Sequence, residues 1–358
     1  MLLGPTAMRF ENVHIDSIAH VLPEEVITSE SLELRIAPLY ERLNLSVGRL
    51  ELMSGIRERR FWPVGTRPSS VAARAGAAAL ERSGVERERI GCVIHASVCR
   101  DFLEPATASV VHRALELSDE CTAFDLSNAC LGFANAMVVA ANMIEARSID
   151  AALVVTGEDG RPLVEETLRE LATDPDAGRA ELKRATASLT IGSGAAAMVL
   201  AHRSLSESPQ RLTAAATRSA TEHVDLCRGD RGAGRDGPLM ETDSEAMLHA
   251  GNALAERTFA DFLGETGWAR DDIEGVVTHQ VGVAHRRLLL ETLDLDPERD
   301  FPTVERLGNI GSASLPITYS LAREEGFLRD DQRVALLGIG SGLQCCMLSF
   351  EGPAVARP

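Results

Sequence analysis

The chain has 358 residues, of which 45% are hydrophobic and 25% are charged, which fits a soluble protein of roughly two domains. Its formal net charge of -17 argues against nucleic acid or an anionic membrane as the main partner, because both attract basic surfaces. No apolar run approaches the ~20 residues of a membrane span, and no secretory signal pattern opens the chain. The 7 cysteines include no C-x-x-C pair, so we expect a cytoplasmic protein without disulfides or a metal site.

In chain order, the first informative element is the segment 124–137, where a strand-like run becomes the apolar helix predicted over Leu131–Arg147. Cys130 lies at the start of that helix. A helix start offers unpaired N–H groups and partial positive charge, so we expect this thiol to lose its proton more easily than a free cysteine, whose pKa is ~8.5. The position alone favours a nucleophile and a buried structural cysteine about equally.

An additional stretch follows at about 158–190, between the last two predicted strands of the first half. Within it, Leu163–Thr173 and Ala180–Ala187 are predicted to be short helices, which could cap a pocket or contact a partner. A polar, loop-like segment comes next. It predicts a division into an N-terminal domain of residues 8–205 and a C-terminal domain of residues 206–352.

The second half of the chain repeats the first. Residues 83–97 align without a gap on residues 266–280, and 152–156 align with 335–339 at the same displacement. The tetrapeptide Ile-Gly-Ser-Gly occurs once in each half, each time before an apolar strand-like run. Since strands alternate with helices in both halves, we expect two stacked α/β units with largely parallel sheets.

The repeat sets a histidine and an asparagine of the second half beside Cys130. His279 follows a strand-like segment, so its ring is expected at the carboxyl end of that strand, where chemistry gathers in α/β sheets. Asn309 comes close to Cys130 when the two helix starts are superimposed. Taken singly, His279 is more often a core residue, and Asn309 is a helix cap about as often as a functional residue. Together with a cysteine they provide a nucleophile, a group that moves a proton and a hydrogen-bond donor.

These motifs resemble those of a known family. The chain resembles thiolase-superfamily condensing enzymes of the ketoacyl synthase III type, and most closely the acyl-CoA:acyl-CoA condensing enzymes that open bacterial long-chain olefin biosynthesis. The matching segments are 97–109, 125–131, 217–222, 278–281, 308–316 and 335–343. The resemblance implies an α/β protein with the thiolase fold, in which two pseudo-symmetric halves form a five-layered α-β-α-β-α sandwich.

The resemblance implies an acyltransferase that condenses two fatty acyl-CoA molecules without decarboxylation. Cys130 would hold the first acyl chain as a thioester, and the deprotonated second acyl-CoA would attack it to give a 2-alkyl-3-oxoacyl product. His279 and Asn309 would bind the oxygen of the second thioester. The backbone N–H groups of Cys130 and Ser341 would form the oxyanion hole of the acyl-enzyme. Coenzyme A thioesters are then the substrates, and no cofactor is expected.

Glu104 distinguishes this chain from decarboxylating relatives. An enzyme that uses plain acyl-CoA must remove a proton from it, and a carboxylate in an apolar pocket is a suitable acceptor. The resemblance implies that Glu104 acts across a homodimer interface, in the site of the partner. A glutamate before a proline is also common in extended loops, so an ordinary surface role stays open.

Two further functions stay open. One is a decarboxylating 3-oxoacyl-ACP synthase III that uses malonyl-ACP; the other is an inactive partner subunit or binding scaffold. Arg286 and Arg287, which follow His279, could contact coenzyme A phosphates or line a solvated helix face. Enzymes later in a lipid pathway are further expected partners.

Overall fold

The computed structural model describes residues 6–230 and 232–353. Its strands are β1 (Thr6–Arg9), β2 (Val13–Val21), β3 (Glu25–Thr28), β4 (Glu58–Phe61), β5 (Ile90–Ala96), β6 (Thr122–Leu126), β7 (Ala151–Glu158), β8 (Gly194–His202), β9 (Arg211–Ser219), β10 (Cys227–Asp230), β11 (Leu239–Thr242), β12 (Gly275–Thr278), β13 (Arg333–Gly340) and β14 (Gln344–Glu351). Its α-helices are α1 (Ser29–Arg35), α2 (Ala37–Arg42), α3 (Arg49–Ser54), α4 (Pro68–Arg82), α5 (Thr107–Ala114), α6 (Gly132–Glu145), α7 (Arg161–Thr173), α8 (Arg179–Leu189), α9 (Ser244–Thr266), α10 (Val283–Leu293), α11 (Val304–Leu307) and α12 (Ser314–Glu324). Short 3-10 helices lie at Arg87–Arg89, Thr221–Leu226, Arg270–Asp272, Pro297–Arg299 and Gly311–Ala313.

The two halves arrange their strands in the same way. The first half has the order β2-β8-β7-β5-β6 and the second has β9-β14-β13-β12. In each half the second strand of that order runs antiparallel to both neighbours, whereas the strands after it pair in parallel. A single antiparallel pair, His14 with Arg211, joins the two sheets at their edges. This confirms the pseudo-symmetry that the internal repeat predicts. The expectation of largely parallel sheets is wrong, because the first three strands of each order pair antiparallel.

Helices cover both faces of each sheet and form five layers. Helices α4 and α5 pack on the outer face of the first sheet, and α9 and α10 pack on the outer face of the second. Helices α6 and α12 lie between the sheets. Alternating side chains explain the layers: in β8, Ala197 and Val199 belong to the outer core, while Met198 and Leu200 belong to the core around α6. The five-layered sandwich expected from the sequence is confirmed.

Helix α6 is apolar on almost all sides because it sits in the central layer. Its buried residues include Gly132, Ala136, Ala140 and Ala141, which allow close approach to both sheets. A helix that is hydrophobic all round is typical of the core of a large protein. The observed helix lies within the range predicted over Leu131–Arg147.

The stretch at 158–190 contains α7 and α8, at the positions of the two predicted short helices. Both helices pack against α1 and α2 through a separate apolar cluster that includes Leu39, Leu168, Leu171 and Leu189. The boundary at 205/206 falls in the connection between β8 and β9, and the division of the chain into two domains stays a prediction.

All seven cysteines are free thiols. Within residues 6–230 and 232–353, His, Cys, Asp and Glu form no group of three or more that could hold a metal ion. The helices of the same residues include none with the length and apolar character needed to cross a bilayer.

Candidate active site

Cys130 lies in the tight turn that joins β6 to α6. The N–H of Leu131 donates to Asn128 O (3.0 Å), the N–H of Gly132 donates to Ala129 O (3.2 Å), and Ala129 has a left-handed φ of 46°. These bonds use N–H groups that a free helix start would offer to a thiolate.

The acid–base character of Cys130 differs from the expectation. Burial of the thiol, with smaller contributions from the neighbouring Cys227 and Glu158, raises its pKa to about 12. The expected easy loss of the proton is therefore wrong. Desolvation disfavours the charged form of a cysteine and here outweighs the helix start. The thiol is protonated at neutral pH, and an acceptor must take its proton as it attacks.

The Gly340-Ser341-Gly342 turn packs directly on the cysteine turn. A Cβ added to Gly340 would lie 3.0 Å from Leu131 Cγ, and one added to Gly338 would lie 2.6 Å from Leu131 Cδ2. Glycine permits this close approach of backbones. Ser341 is thereby placed next to the cysteine turn, and its Oγ donates to Cys227 Sγ at 3.4 Å. The oxyanion-hole role of the Ser341 N–H stays a prediction.

His279 follows β12, and hydrogen bonds hold its two neighbours in sequence. Thr278 donates through Oγ1 to Asp300 (3.0 Å), and Gln280 donates through Nε2 to Phe301 O (2.7 Å). The ring of His279 is buried, at 7% exposure, yet neither ring nitrogen has a hydrogen-bond partner among the described residues. Burial lowers the pKa of His279 to about 4, with a smaller contribution from His285. The ring is therefore neutral at pH 7 and has both nitrogens available to a substrate.

Asn309 has an amide that its own turn orients. The N–H of Gly311 donates to Asn309 Oδ1 at 3.0 Å, while the backbone of Asn309 bonds to Thr190 O (3.0 Å) and to the N–H of Gly192 (2.8 Å). Because Oδ1 is occupied, Nδ2 is the free donor; it makes no hydrogen bond within the described part of the chain.

The elements that carry these three residues meet around Leu131 and the start of α6. The N–H of His279 donates to Leu337 O (2.8 Å), next to the Gly338 on which Leu131 packs. On the other side, a Cβ added to Gly132 would lie 3.5 Å from Ser312 Cβ, in the turn that begins at Asn309. The cysteine turn of the first half thus lies between the histidine strand and the asparagine turn of the second half.

Glu104 lies outside this buried group. It is exposed, in the connection between β5 and α5, and its neighbour Leu103 is 86% exposed. The ends of the connection are held firmly. Asp101 accepts hydrogen bonds from the N–H and Oγ of Ser69 (2.9 and 2.6 Å), and Asp125 accepts from the N–H groups of residues 107 and 108 (2.8 and 2.7 Å). With the adjacent Phe102, which is 38% exposed, Leu103 presents an apolar patch of the kind that marks contact surfaces.

The two arginines after His279 differ in their surroundings. Arg286 Nε lies 2.5 Å from the fully buried carboxylate of Asp300, and Arg286 Nη2 donates to Asp300 O (3.0 Å). Arg287 is 73% exposed and lies 3.8 Å from Glu291. Arg286 therefore neutralises a buried acid, and Arg287 lines a solvated helix face. A contact of either arginine with coenzyme A phosphates stays a prediction.

Sequence reasoning missed two residues of this region, Cys227 and Glu158. Cys227 comes from β10 and accepts hydrogen bonds from Thr242 Oγ1 (3.3 Å) and from Ser341. Glu158 ends β7 and is 4% exposed. The repeat held a signal for Glu158, because the alignment of 152–156 with 335–339, extended by two residues, sets Glu158 against Ser341.

Comparisons with known proteins agree with the fold. Models of three families match: the N-terminal domain of thiolase (residues 64–160), 3-oxoacyl-[acyl-carrier-protein] synthase III (124–220) and the C-terminal part of the same synthase (263–351). An acyl-CoA:acyl-CoA alkyltransferase of Shewanella oneidensis is 38% identical over 96% of this chain and 100% of its own length. One of Xanthomonas campestris pv. campestris is 41% identical over 95% and 98%.

Solved structures extend the likeness to three dimensions. The crystal structure of cerulenin-bound Xanthomonas campestris OleA has a TM-score of 0.91 and 40% identity, over 96% of this chain and 98% of that chain. A variant of the same OleA with bound lauric acid and lauroyl-CoA has a TM-score of 0.90 and 40% identity, over 96% and 99%. The likeness therefore spans both halves.

Proposed function

The chain belongs to the acyl-CoA:acyl-CoA alkyltransferase family of thiolase-superfamily condensing enzymes, and from this premise we propose that it joins two fatty acyl-CoA molecules in a Claisen condensation without decarboxylation. The product is a 2-alkyl-3-oxoacyl compound, which fits the first step of a route to long-chain olefins or related β-lactones. The observation that carries the proposal is the buried, neutral and unpartnered His279 beside the cysteine turn.

The first half-reaction acylates Cys130. His279 accepts the thiol proton as the sulfur attacks the thioester carbonyl, and coenzyme A leaves with a proton when the tetrahedral intermediate collapses. Because the pKa of the Cys130 thiol is high and the pKa of His279 is low, the resting pair is uncharged, and the proton moves only as the sulfur attacks. The N–H groups of Cys130 and Ser341 stabilise the negative oxygen, and one such donor typically contributes about 3–4 kcal/mol.

The second half-reaction forms the carbon–carbon bond. Glu104 of the partner subunit takes a proton from the carbon next to the carbonyl of the second acyl-CoA. The resulting enolate oxygen is bound by His279 and by Nδ2 of Asn309, and the carbanion attacks the acyl-cysteine carbonyl. The bond to Cys130 sulfur breaks, and the sulfur regains a proton. Every group in these steps belongs to the protein or to a coenzyme A thioester, so the reaction needs no cofactor.

A second copy of the chain supplies Glu104. The exposed position of Glu104 and Leu103 gives this carboxylate no apolar pocket within its own subunit. Strand β6 ends the strand order of the first sheet, and its residues 123–126 are only partly buried. Proteins usually cover such an open edge strand, and a symmetric partner would do so.

The first acyl chain is assigned to a narrow apolar cavity between α6, α12, β8 and β13, which as it stands has no room even for a water molecule. Phe133, Met137, Met198 and Leu315 contribute to its lining. Methionine side chains adapt readily to an irregular ligand, so rotation of Met137 and Met198 would widen the cavity for an alkyl chain.

The seven free thiols fit a reducing compartment, and we therefore place the reaction in the cytoplasm.

The test is incubation with lauroyl-CoA as the sole substrate. We expect release of coenzyme A, a mass increase of one acyl group on Cys130, and a branched β-keto acid after hydrolysis. Dependence on malonyl-ACP would instead support a decarboxylating synthase. Absence of any acyl-enzyme would support the inactive subunit or scaffold.

A further inference from the structure

Glu158 is a buried carboxylate whose hydrogen-bond partners come from both halves of the site. Its Oε1 accepts from Ser312 Oγ (2.6 Å), from the N–H of Val98 (3.0 Å) and from the N–H of Ser312 (3.3 Å), and its Oε2 accepts from the N–H of Cys99 (3.2 Å). These hydrogen-bond donors compensate for burial of the carboxylate.

The two segments that Glu158 joins both lead to functional groups. Val98 and Cys99 begin the base loop, which we define as residues 97–106 and which contains Glu104. Ser312 ends the asparagine turn, defined as residues 309–312. The two segments have no covalent connection nearby, because they belong to different halves of the repeat.

The packing around Glu158 leaves little freedom in the asparagine turn. Gly311 has a φ of 57°, and a Cβ at this position would lie 3.2 Å from Glu158 Oε1. The N–H of Gly311 is also the donor that orients Asn309 Oδ1. A shift of the carboxylate would therefore displace Gly311 and turn the amide of Asn309.

We propose that Glu158 is the positioning residue that fixes the asparagine turn and the base loop relative to each other for carbon–carbon bond formation. The proposal rests on the proposed function, because it concerns the same condensation. Glu158 touches no reacting atom. It acts through Asn309 in its own subunit and through the base loop that reaches the partner.

The charge of Glu158 gives the proposal a second readout. A buried negative charge close to Cys130 disfavours the thiolate, and Glu158 is among the groups that raise the pKa of this thiol. Loss of the charge should therefore make Cys130 react faster with an alkylating agent. Loss of the positioning should make condensation slower. A general loosening of the fold predicts no such selective change of the pH profile at Cys130.

The experiment compares Glu158→Gln and Glu158→Asp with the wild type and with Glu33→Gln. Glu33 is a matched control, because it is fully buried and accepts from the N–H of Gly48 (2.6 Å), the N–H of Leu50 (2.8 Å) and Tyr40 OH (2.9 Å), in the cluster of α1 and α2. For each protein, the rate of Cys130 alkylation by iodoacetamide is followed against pH by peptide mass spectrometry. Acylation by lauroyl-CoA and product formation are measured separately, and the melting temperature is recorded.

We expect Glu158→Gln to slow condensation by roughly tenfold to a hundredfold, as small misplacements of reacting groups do, and to change Cys130 acylation by less than about threefold. Its alkylation profile should move to lower pH, since the amide carries no charge. Glu158→Asp keeps the charge but is one methylene shorter, so it should keep the wild-type alkylation profile and still condense slowly. Glu33→Gln should change only the melting temperature.

Alkylation and condensation rates of Glu158→Gln equal to those of Glu33→Gln would overturn the proposal. If Glu158→Gln does not fold, Glu158→Asp decides: wild-type condensation by that variant would equally overturn it. The alkylation profile requires no acyl-CoA. The wild type could fail to condense lauroyl-CoA while Glu158→Gln still shifts the pH profile of Cys130 alkylation. That result would contradict the proposed function but not the placement of Glu158 beside Cys130.

Discussion

The cleft around Cys130 and the loop around Glu104 are built in opposite ways. In the cleft, His279 and Asn309 are at most 9% exposed, and backbone hydrogen bonds hold their strand and turn. The loop is anchored at both ends, but Glu104 itself is exposed beside Leu103. In the proposed mechanism, one chain therefore carries the groups for acylation and leaves the base at its surface. Acyl transfer and condensation would then depend on different interfaces, one between the two halves and one between two copies.

The nucleophile should show the largest effect. Cys130→Ala removes the only group that forms the acyl-enzyme, so both acylation and condensation should fall by roughly four orders of magnitude or more. Intact-protein mass spectrometry with lauroyl-CoA measures the first and product analysis the second. The neighbouring thiol provides the control: Cys227→Ala should still acquire the acyl group. Acylation of Cys130→Ala would contradict the assignment.

The base should separate the two half-reactions. We expect Glu104→Gln to slow condensation by about 10²–10⁴-fold, the usual contribution of a general base, while Cys130 is still acylated. A burst of coenzyme A without β-keto product is the measurable sign. Glu298→Gln, at another exposed glutamate, should behave as the wild type. If Glu104→Gln condenses at the normal rate, the cleft holds its own base and the contrast with the loop disappears.

The buried histidine should appear in the pH dependence of stability. In the unfolded chain His279 takes a proton below its ordinary pKa of 6.5, whereas in the fold it does so only near 4. Between these values the unfolded state binds more protons, so the free energy of unfolding falls as the pH falls. The contribution amounts to at most about 3 kcal/mol.

Urea titrations of the wild type and of His279→Asn at pH 6.5 and pH 4.5 measure this term. Other buried histidines make the free energy of unfolding depend on pH in both proteins alike. The difference in this free energy between the wild type and the variant therefore isolates His279. We expect the variant to lose less stability on acidification. Parallel curves would mean that the ring is not desolvated in the fold.

The sequence carried enough information for the layers and the three central residues. The repeat relates β5 to β12 and the start of α6 to the asparagine turn. The hydrophobic pattern of the sequence reflects the buried layers of such a fold. The properties that depend on burial were out of reach. The helix start at Cys130 suggested a low pKa, but desolvation, which only packing determines, reverses the direction. In the same way, the sequence did not show that Asp300 is the ion-pair partner of Arg286, because only the fold of the second half brings the two side chains together.

The central claim, that each site takes its base from the other subunit, is tested most directly by complementation. Cys130→Ala and Glu104→Gln chains with different affinity tags are co-expressed, and the heterodimer is purified on both tags. One of its two sites then combines an intact Cys130 with the partner's intact Glu104, so we expect about half of the wild-type condensation rate from two inactive parents. A heterodimer as inactive as its parents, or failure to recover any heterodimer, would contradict the account.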